Sequence, residues 1–181
     1  GNLGEALPLT KIEDLRWNDG LTGAGVTVAV LDSGYDSDHP DLGDDLKGEA
    51  CFCSGGGGCC PGGGMVEVGA GSAEDDHGHG TNVSGIITSG AAVNGYMGLE
   101  APTGGAPAAK IIAIKVLDEN NSFCCASDVI AGLEYLINNH PEARVVNMSL
   151  GTDARFSGNC DTATSFTMGF AAAIDALRAN G

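Results

Sequence analysis

The sequence predicts an α/β protein in which a mostly parallel sheet lies between two layers of helices. Three short runs, rich in apolar and β-branched residues, are typical of strands that are buried on both faces. Their positions are residues 26–31, 111–117 and 145–150. Segments with helical spacing alternate with these runs, as in a parallel sheet whose crossovers are helices. A chain of 181 residues is long enough to bury a core, so we expect a single domain over residues 1–181.

Each predicted strand begins after a residue that interrupts regular structure. The first run, VTVAVL, follows a glycine-punctuated stretch, the second, IIAIKVL, follows Pro107, and the third, VVNMSL, follows Pro141. Asp32 comes directly after the first run. Functional side chains gather at the carboxyl ends of strands in an open parallel sheet, because the loops converge there. Asp32 is therefore a candidate functional residue.

Three segments have the spacing of amphipathic helices. One begins near His79, one begins behind Ser127 and Asp128, which suit an N-cap and a first-turn acid, and one lies near the end of the chain. Their apolar positions are Val83, Ile86 and Ile87, then Val129, Ile130, Leu133, Leu136 and Ile137, and finally Phe166, Phe170, Ile174 and Leu177. The last helix ends where another strand would begin, so we expect a sheet that is truncated before its later strands.

The composition is strongly acidic, with 8 Lys and Arg against 24 Asp and Glu and a net charge of −16. Such a charge repels phosphate backbones and anionic lipid headgroups, so we expect neither nucleic acid nor a membrane surface as a partner. No run approaches the roughly 18 consecutive apolar residues that a membrane-spanning helix needs. We interpret Gly1 as a processed or trimmed start, so the missing leader does not argue against secretion.

Seven cysteines lie in glycine-rich, proline-rich or turn-like surroundings rather than in apolar periodic segments. They are Cys51, Cys53, Cys59, Cys60, Cys124, Cys125 and Cys160. This placement favours disulfides, which persist in oxidising compartments, so we expect a secreted, extracellular protein. The odd number leaves one thiol unpaired or bonded outside this segment. We expect residues 51–64, CFCSGGGGCCPGGG, to form an inserted loop stapled by disulfides, with a zinc site as the alternative.

Asp32 and His79 together suit acid–base chemistry. His79 lies between Gly78 and Gly80, which allow the backbone to approach other elements closely. A buried aspartate that accepts a hydrogen bond from an imidazole selects one tautomer and stabilises the imidazolium that forms on proton transfer. Each residue alone has an ordinary alternative, namely a turn-forming aspartate and a structural histidine in a glycine-rich turn. The motifs that surround them decide between these interpretations.

Four motifs occur in a fixed order along the chain. They are VTVAVLDSG at residues 26–34, HPDL at 39–42, DDHGHGTNVSG at 75–85 and NMSLG at 147–151. This set resembles the subtilisin-like serine proteases, the subtilases, from about Trp17 onward. The resemblance implies that Asp32 and His79 are the orienting acid and the general base of an Asp-His-Ser triad in a serine endopeptidase. In the family the serine and the oxyanion-binding asparagine come later, so we expect them beyond Gly181 and expect residues 1–181 alone to be inactive.

The resemblance also implies the substrate. In the family the main chain of the segment that matches Ser149, Leu150 and Gly151 pairs with an extended polypeptide. The stretch with Ser122 and Phe123 resembles the opposite wall of the same groove. Such docking gives affinity through main-chain hydrogen bonds and specificity through side-chain pockets. We therefore expect an extended polypeptide as substrate, and the family implies a propeptide as a further partner.

One structural ion follows from the same resemblance. Asp41 matches a carboxylate that often binds calcium in the family, with an ordinary turn carboxylate as the alternative. Its partner loop, between Thr88 and Gly105, does not match the family clearly. No organic cofactor is expected.

Two functions of other classes stay open on the sequence alone. One is a metal-dependent hydrolase, which would be sensitive to chelators and indifferent to fluorophosphonates. Its candidate ligands are Asp32, Asp36, Asp38, His39, Asp76, His77 and His79. The other is a noncatalytic peptide-binding remnant that keeps the groove around residues 149–151 and has no nucleophile.

Overall fold

The computed structural model describes residues 3–90 and 103–179, and these form five helices and five strands. The helices are α1 (Leu3–Thr10), α2 (Ile12–Asp19), α3 (His79–Thr88), α4 (Ala126–Asn139) and α5 (Ser165–Ala179). The strands are β1 (Thr27–Asp32), β2 (Leu46–Phe52), β3 (Val66–Val68), β4 (Lys110–Lys115) and β5 (Ala143–Met148). None of the described helices is both long enough and apolar enough to span a membrane.

The described strands form one sheet in the order β3-β2-β4-β1-β5. β1 pairs in parallel with β4 and with β5, and β2 pairs in parallel with β4. Only the short β3 runs antiparallel, beside β2. The carboxyl ends of the four parallel strands therefore meet at one edge of the sheet, where Asp32 lies beside Lys115.

β1 and β4 are the most deeply buried strands. Every residue of β1 is buried, and so is every residue of β4 after Lys110. The prediction of strands buried on both faces is thus confirmed for the first two runs. It is wrong for the third, because no residue of β5 is buried and Val145 is 49% exposed. Among the described residues β5 pairs only with β1, so one of its edges and much of its surface are uncovered.

Helices lie on both faces of the sheet, which confirms the three-layer α/β/α arrangement. On one face α4 and α5 cover a core that includes Leu31 and Leu133. On the other face Val83 and Ile87 of α3 pack against a second core that includes Val30. Full burial of a side chain such as Leu133 contributes about 1.5–3 kcal/mol, and the partly buried Val83 and Ile87 contribute less, so apolar contacts hold each helix on the sheet.

Four elements were not predicted from the sequence, namely β2, β3, α1 and α2. β2, LKGEACF, has charged residues and a glycine within it, and only part of it is buried. It becomes a strand because it pairs with β4. β3 has three residues, and α1 and α2 together bury only Leu7, so none of these has a periodic apolar face to detect.

Residues 51–64 combine the end of a strand with a stapled loop, which we call the Cys/Gly loop. The first two of them belong to β2, so the predicted loop begins two residues too early. Disulfides join Cys51 to Cys60 and Cys53 to Cys59. These bonds occupy the sulfur atoms that the alternative zinc site would need.

The other three cysteines lie between β4 and α4, and between β5 and α5. Cys124 is bonded to Cys125, and Cys160 is a free, half-buried thiol. One unpaired thiol among seven agrees with the expectation from the odd number.

The start of α4 differs from its predicted form. Cys125 occupies the N-cap position, so the prediction that Ser127 caps this helix is wrong. Asp128 does lie in the first turn, as predicted, and its carboxylate accepts hydrogen bonds of 2.9 Å from the backbone N–H and the hydroxyl of Ser54. α4 is thereby attached to the Cys/Gly loop.

Candidate functional site

Asp32 and His79 meet at the carboxyl edge of the sheet. Asp32 is the last residue of β1 and His79 is the first residue of α3. The Nδ1 atom of His79 lies 2.6 Å from Oδ1 of Asp32, which is a short, charge-assisted hydrogen bond. The Asp32 side chain is fully buried, whereas 34% of the His79 side chain is exposed. One ring nitrogen is therefore held by a buried carboxylate while part of the imidazole stays accessible.

Two backbone features bring these side chains together. Gly78 caps the start of α3 with φ 93°, a left-handed conformation that favours glycine. A Cβ atom on Gly80 would overlap the carbonyl oxygen of Gly34 and lie 3.1 Å from Cβ of Asp32. The first turn of α3 is thus packed directly against the chain that leaves β1, with no room for a side chain between them.

Asp75 organises the segment that presents His79, residues 75–81, which we call the histidine turn. Its Oδ1 atom accepts hydrogen bonds from the backbone of His77 and Gly78, and its Oδ2 atom accepts them from the backbone and hydroxyl of Thr81. Burial alone raises the pKa of Asp75, but the hydrogen bonds from Thr81, Gly78 and His77 outweigh it and lower the pKa to about 2. Asp75 is therefore ionised at neutral pH.

Lys115 is a fully buried cation behind the site. Its Nζ atom donates hydrogen bonds of 2.6 Å to the carbonyl oxygen of Ser33 and to Oδ1 of Asp76. The carboxylate of Asp76 is 45% exposed, so the pair spans the boundary between core and solvent. This ion pair joins β4 to the histidine turn.

The sequence analysis did not identify Ser33, Asp75 or Lys115 as parts of the site. A lysine inside an otherwise apolar strand segment, IIAIKVL, was the one signal that pointed to a paired buried charge. Ser33 and Asp75 lie inside the motifs VTVAVLDSG and DDHGHGTNVSG, but the sequence assigned neither a role of its own, because the hydrogen bond between them joins residues 42 positions apart.

A groove of about 810 Å³ lies between the segments that follow β4 and β5. Ser122 and Phe123 line one side, and Ser149, Leu150 and Gly151 line the other. β1 lies between β4 and β5, so the groove and Asp32 share the same edge of the sheet. The structure therefore brings together all five predicted groove residues.

The ligands considered for a hydrolytic metal do not form one site. Within residues 3–90 and 103–179, no group of three metal-binding side chains includes Asp32 or His79. Asp36 and Asp38 instead cluster with Glu74, with ligand atoms within 4.8 Å of one another. Burial, the hydrogen bond with Asp38 and its negative charge raise the pKa of Asp36, as expected for carboxylates that share a small volume.

Asp41, in the segment between β1 and β2, contacts the residues that follow α3. Its Oδ2 atom accepts a hydrogen bond of 2.5 Å from the hydroxyl of Ser89, and its Oδ1 atom accepts one of 3.1 Å from the backbone of Gly90. Most of the partner loop expected between Thr88 and Gly105 lies outside the described residues.

Comparison with known proteins agrees with the motifs. A family model described as "Subtilase family" matches residues 23–181. The chain is 42% identical over 135 residues to the "Thermostable alkaline protease" of Halalkalibacterium halodurans, across 75% of this chain and 30% of that protein. It is 40% identical over 134 residues to "Subtilisin E" of Bacillus subtilis, across 74% of this chain and 29% of that protein. For "Subtilisin Savinase" of Lederbergia lenta the identity is 41% over 135 residues, across 75% of this chain and 40% of that protein.

Proposed function

Because this chain belongs to the subtilase family of serine-type peptidases, we propose that it supplies the aspartate and the histidine of an endopeptidase triad. The observation that carries the proposal is the 2.6 Å hydrogen bond between buried Asp32 and partly exposed His79. The matched segment covers only 30% of the first relative's length, so the remainder of the machinery is part of the proposal.

In this proposal His79 is the general base. It takes a proton from the nucleophilic hydroxyl and later gives a proton to the leaving amine of the peptide. Asp32 accepts the hydrogen bond from Nδ1, which directs the other ring nitrogen toward the nucleophile and stabilises the imidazolium. Full burial of Asp32 strengthens this effect, since charges interact more strongly away from water.

We propose that the nucleophile is a serine outside residues 1–181. Ser33, which follows Asp32, is fully buried, and its hydroxyl is bonded to Asp75 and to the backbone of Gly80. It is therefore not available to attack a carbonyl carbon. Loss of the serine in a triad of this kind lowers kcat about 10⁶-fold. Residues 1–181 alone are then expected to show no turnover.

The proposed substrate is a polypeptide in extended conformation. The groove between Ser122–Phe123 and residues 149–151 lies at the same edge of the sheet as Asp32, and in this proposal the main chain after β5 pairs with the substrate as with an added strand. Three disulfides are consistent with an extracellular location, and a propeptide is proposed by analogy with the family.

The proposal is tested by labelling the complete natural chain with a fluorophosphonate probe, which reacts with an activated serine. We expect labelling of the complete chain and none of residues 1–181 expressed alone. Asp32→Asn and His79→Ala should each reduce labelling of the complete chain by about 10⁴-fold. Glu67→Gln, which alters a carboxylate that accepts hydrogen bonds from the backbone of Gly62 and Gly64 in the Cys/Gly loop, is the matched control. Equal labelling of Asp32→Asn and Glu67→Gln would contradict the assignment.

The same labelling experiment separates the two other functions. Peptide hydrolysis that is lost on chelation, without any labelling, would indicate a metal-dependent hydrolase. Peptide binding without hydrolysis or labelling would indicate a noncatalytic binding module. The cluster of Asp36, Asp38 and Glu74 includes neither Asp32 nor His79, and the hydrogen bond between Asp32 and His79 supports the serine mechanism over the metal-dependent one.

A structural calcium ion through Asp41 is a further part of the proposal. Carboxylate oxygens are suitable calcium ligands, and an ion bound by Asp41 would replace the hydrogen bonds that its oxygens accept from the hydroxyl of Ser89 and the backbone N–H of Gly90. If Asp41 binds calcium, a chelator will lower the melting temperature of the natural chain but not that of Asp41→Asn. Asp44→Asn, at an exposed carboxylate three positions away, should keep the chelator effect.

A further inference from the structure

Ser33 connects three parts of the site that the sequence keeps apart. Its backbone N–H donates to Oδ1 of Asp32 at 2.7 Å, and its carbonyl oxygen accepts from Nζ of Lys115 at 2.6 Å. Its hydroxyl donates to Oδ1 of Asp75 and accepts from the backbone N–H of Gly80, each at 2.9 Å. Every polar group of this fully buried residue thus has a partner.

Asp75 joins Ser33 to the histidine turn through its carboxylate. Together with Ser33, the donors to its carboxylate come from His77, Gly78 and Thr81. These residues lie on both sides of His79 in the sequence. Both carboxylate oxygens are used, so the group fixes the turn against Ser33 at several points at once.

We propose that Asp75 is a positioning residue that holds His79 in register with Asp32, acting through Ser33 and the backbone of the histidine turn. The histidine turn needs such a support, because Gly78 and the neighbouring Gly80 have more conformational freedom than any other residue type. The proposal rests on the proposed function only in treating His79 as the general base. A displacement of the imidazole by about 1 Å would be enough to lower turnover about 10²-fold.

A carboxylate is the side chain that this position requires. All its partners are donors, and an ionised carboxylate accepts without donating. In Asp75→Asn an NH₂ group would replace one of the two carboxylate oxygens, so it would face either the donors that bind Oδ1 or those that bind Oδ2 and could accept from neither set. The lowered pKa of Asp75, about 2, agrees with a carboxylate stabilised by its donors.

The experiment compares Asp75→Asn, Ser33→Ala and the double variant in the complete natural chain, with Glu49→Gln as the matched control. Glu49 is also a buried carboxylate that accepts a backbone N–H, from Gly71, but it lies outside the histidine turn. We expect Asp75→Asn to lower kcat about 10- to 100-fold with KM changed less than about twofold. Because both residues act through one connection, the double variant should lose much less than the product of the single losses.

A second measurement does not depend on catalysis. The proton between Nδ1 of His79 and Asp32 lies in a short hydrogen bond, which gives a resonance far downfield of the amide region in proton NMR. It should be sharp in the unmodified protein and in Glu49→Gln, and broadened or lost in Asp75→Asn at a temperature where the variant is folded.

The outcomes distinguish the positioning role from the function on which it rests. If the complete natural chain has no peptidase activity, the proposed function fails and the NMR resonance alone decides the role of Asp75. A kcat of Asp75→Asn equal to that of Glu49→Gln, or an unchanged resonance in folded Asp75→Asn, would overturn the proposal. So would single losses of Asp75→Asn and Ser33→Ala that multiply fully in the double variant.

Discussion

Gly80→Ala and Gly85→Ala are expected to change the stability of the protein in opposite directions, although both add one methyl group to α3. Neither glycine has a positive φ, so alanine suits the backbone at both positions. A Cβ on Gly85 would find only Leu42 Cδ1, at 3.9 Å, which is an ordinary contact. A Cβ on Gly80 would overlap the carbonyl oxygen of Gly34 and lie 2.9 Å from its nitrogen.

The magnitudes follow from these contacts. At Gly85 the better helix propensity of alanine should stabilise the protein by up to about 1 kcal/mol. At Gly80 the obstacle is backbone, which has no rotamer to change, so α3 must move away from Gly34 by on the order of 1 Å to restore normal contact. Such overpacking costs about 1–3 kcal/mol. The two variants should therefore differ by about 1–4 kcal/mol in the free energy of unfolding.

Chemical unfolding of both variants of the complete natural chain measures this difference. The shift of α3 would also carry His79 away from Asp32, so Gly80→Ala should lower kcat about 10²-fold while Gly85→Ala leaves it unchanged. Equal stability of the two variants would refute the argument from close packing. Full activity in Gly80→Ala would show that the register of His79 does not depend on this contact.

Three further predictions concern charges and disulfides. Asp75 has a pKa of about 2 in the folded protein against an ordinary value near 3.9, so its carboxylate stabilises the folded state fully above about pH 4 and loses this effect as the pH falls toward 2. Asp75→Asn should therefore be less stable than the unmodified protein by about 1–2 kcal/mol after screening at neutral pH. Measurements of the free energy of unfolding from pH 4 to pH 2 should show this difference closing. Asp76→Asn should destabilise the protein by about 3–5 kcal/mol in urea unfolding, because it leaves buried Lys115 without a counter-ion. Lys115→Met leaves a half-exposed carboxylate and one unpaired carbonyl, so it should cost only about 1–3 kcal/mol. The reverse order of the two losses would contradict the pairing. Replacing Cys53 and Cys59 by serine together should cost about 2–3 kcal/mol, as the entropy of closing a short loop predicts, and a melting temperature unchanged by this replacement would argue against the bond.

Local sequence patterns predicted the elements that lie at the centre of the molecule. The runs before Asp32 and around residues 111–115 are buried on both faces, so their composition alone distinguishes them from surface strands. The helical spacing of Val129, Leu133 and Leu136 likewise reflects one face packed on the sheet. β2 was not predicted, because it becomes a strand through its pairing with β4 rather than through its composition. β4 follows far along the chain, so the local sequence does not reveal this pairing.

The two residues of the proposed triad were also identifiable, because each lies inside a motif of glycines and polar residues that ordinary packing does not require. Their supports were not. Ser33 and Asp75 lie in the same two motifs and Lys115 lies in an apolar run, but the hydrogen bonds that join them form only when β1, β4 and the histidine turn come together.

By itself the sequence determined the fold class, the family and the positions of Asp32 and His79, since periodicity and motif order are local properties of the chain. The tertiary structure alone decided that their side chains lie 2.6 Å apart, that β5 is exposed, and that Asp75 and Lys115 hold the histidine turn. The physical reason is that a hydrogen bond or an ion pair depends on distance and burial. The distance between two residues that are remote in sequence, and the burial of each, are decided only when the chain packs.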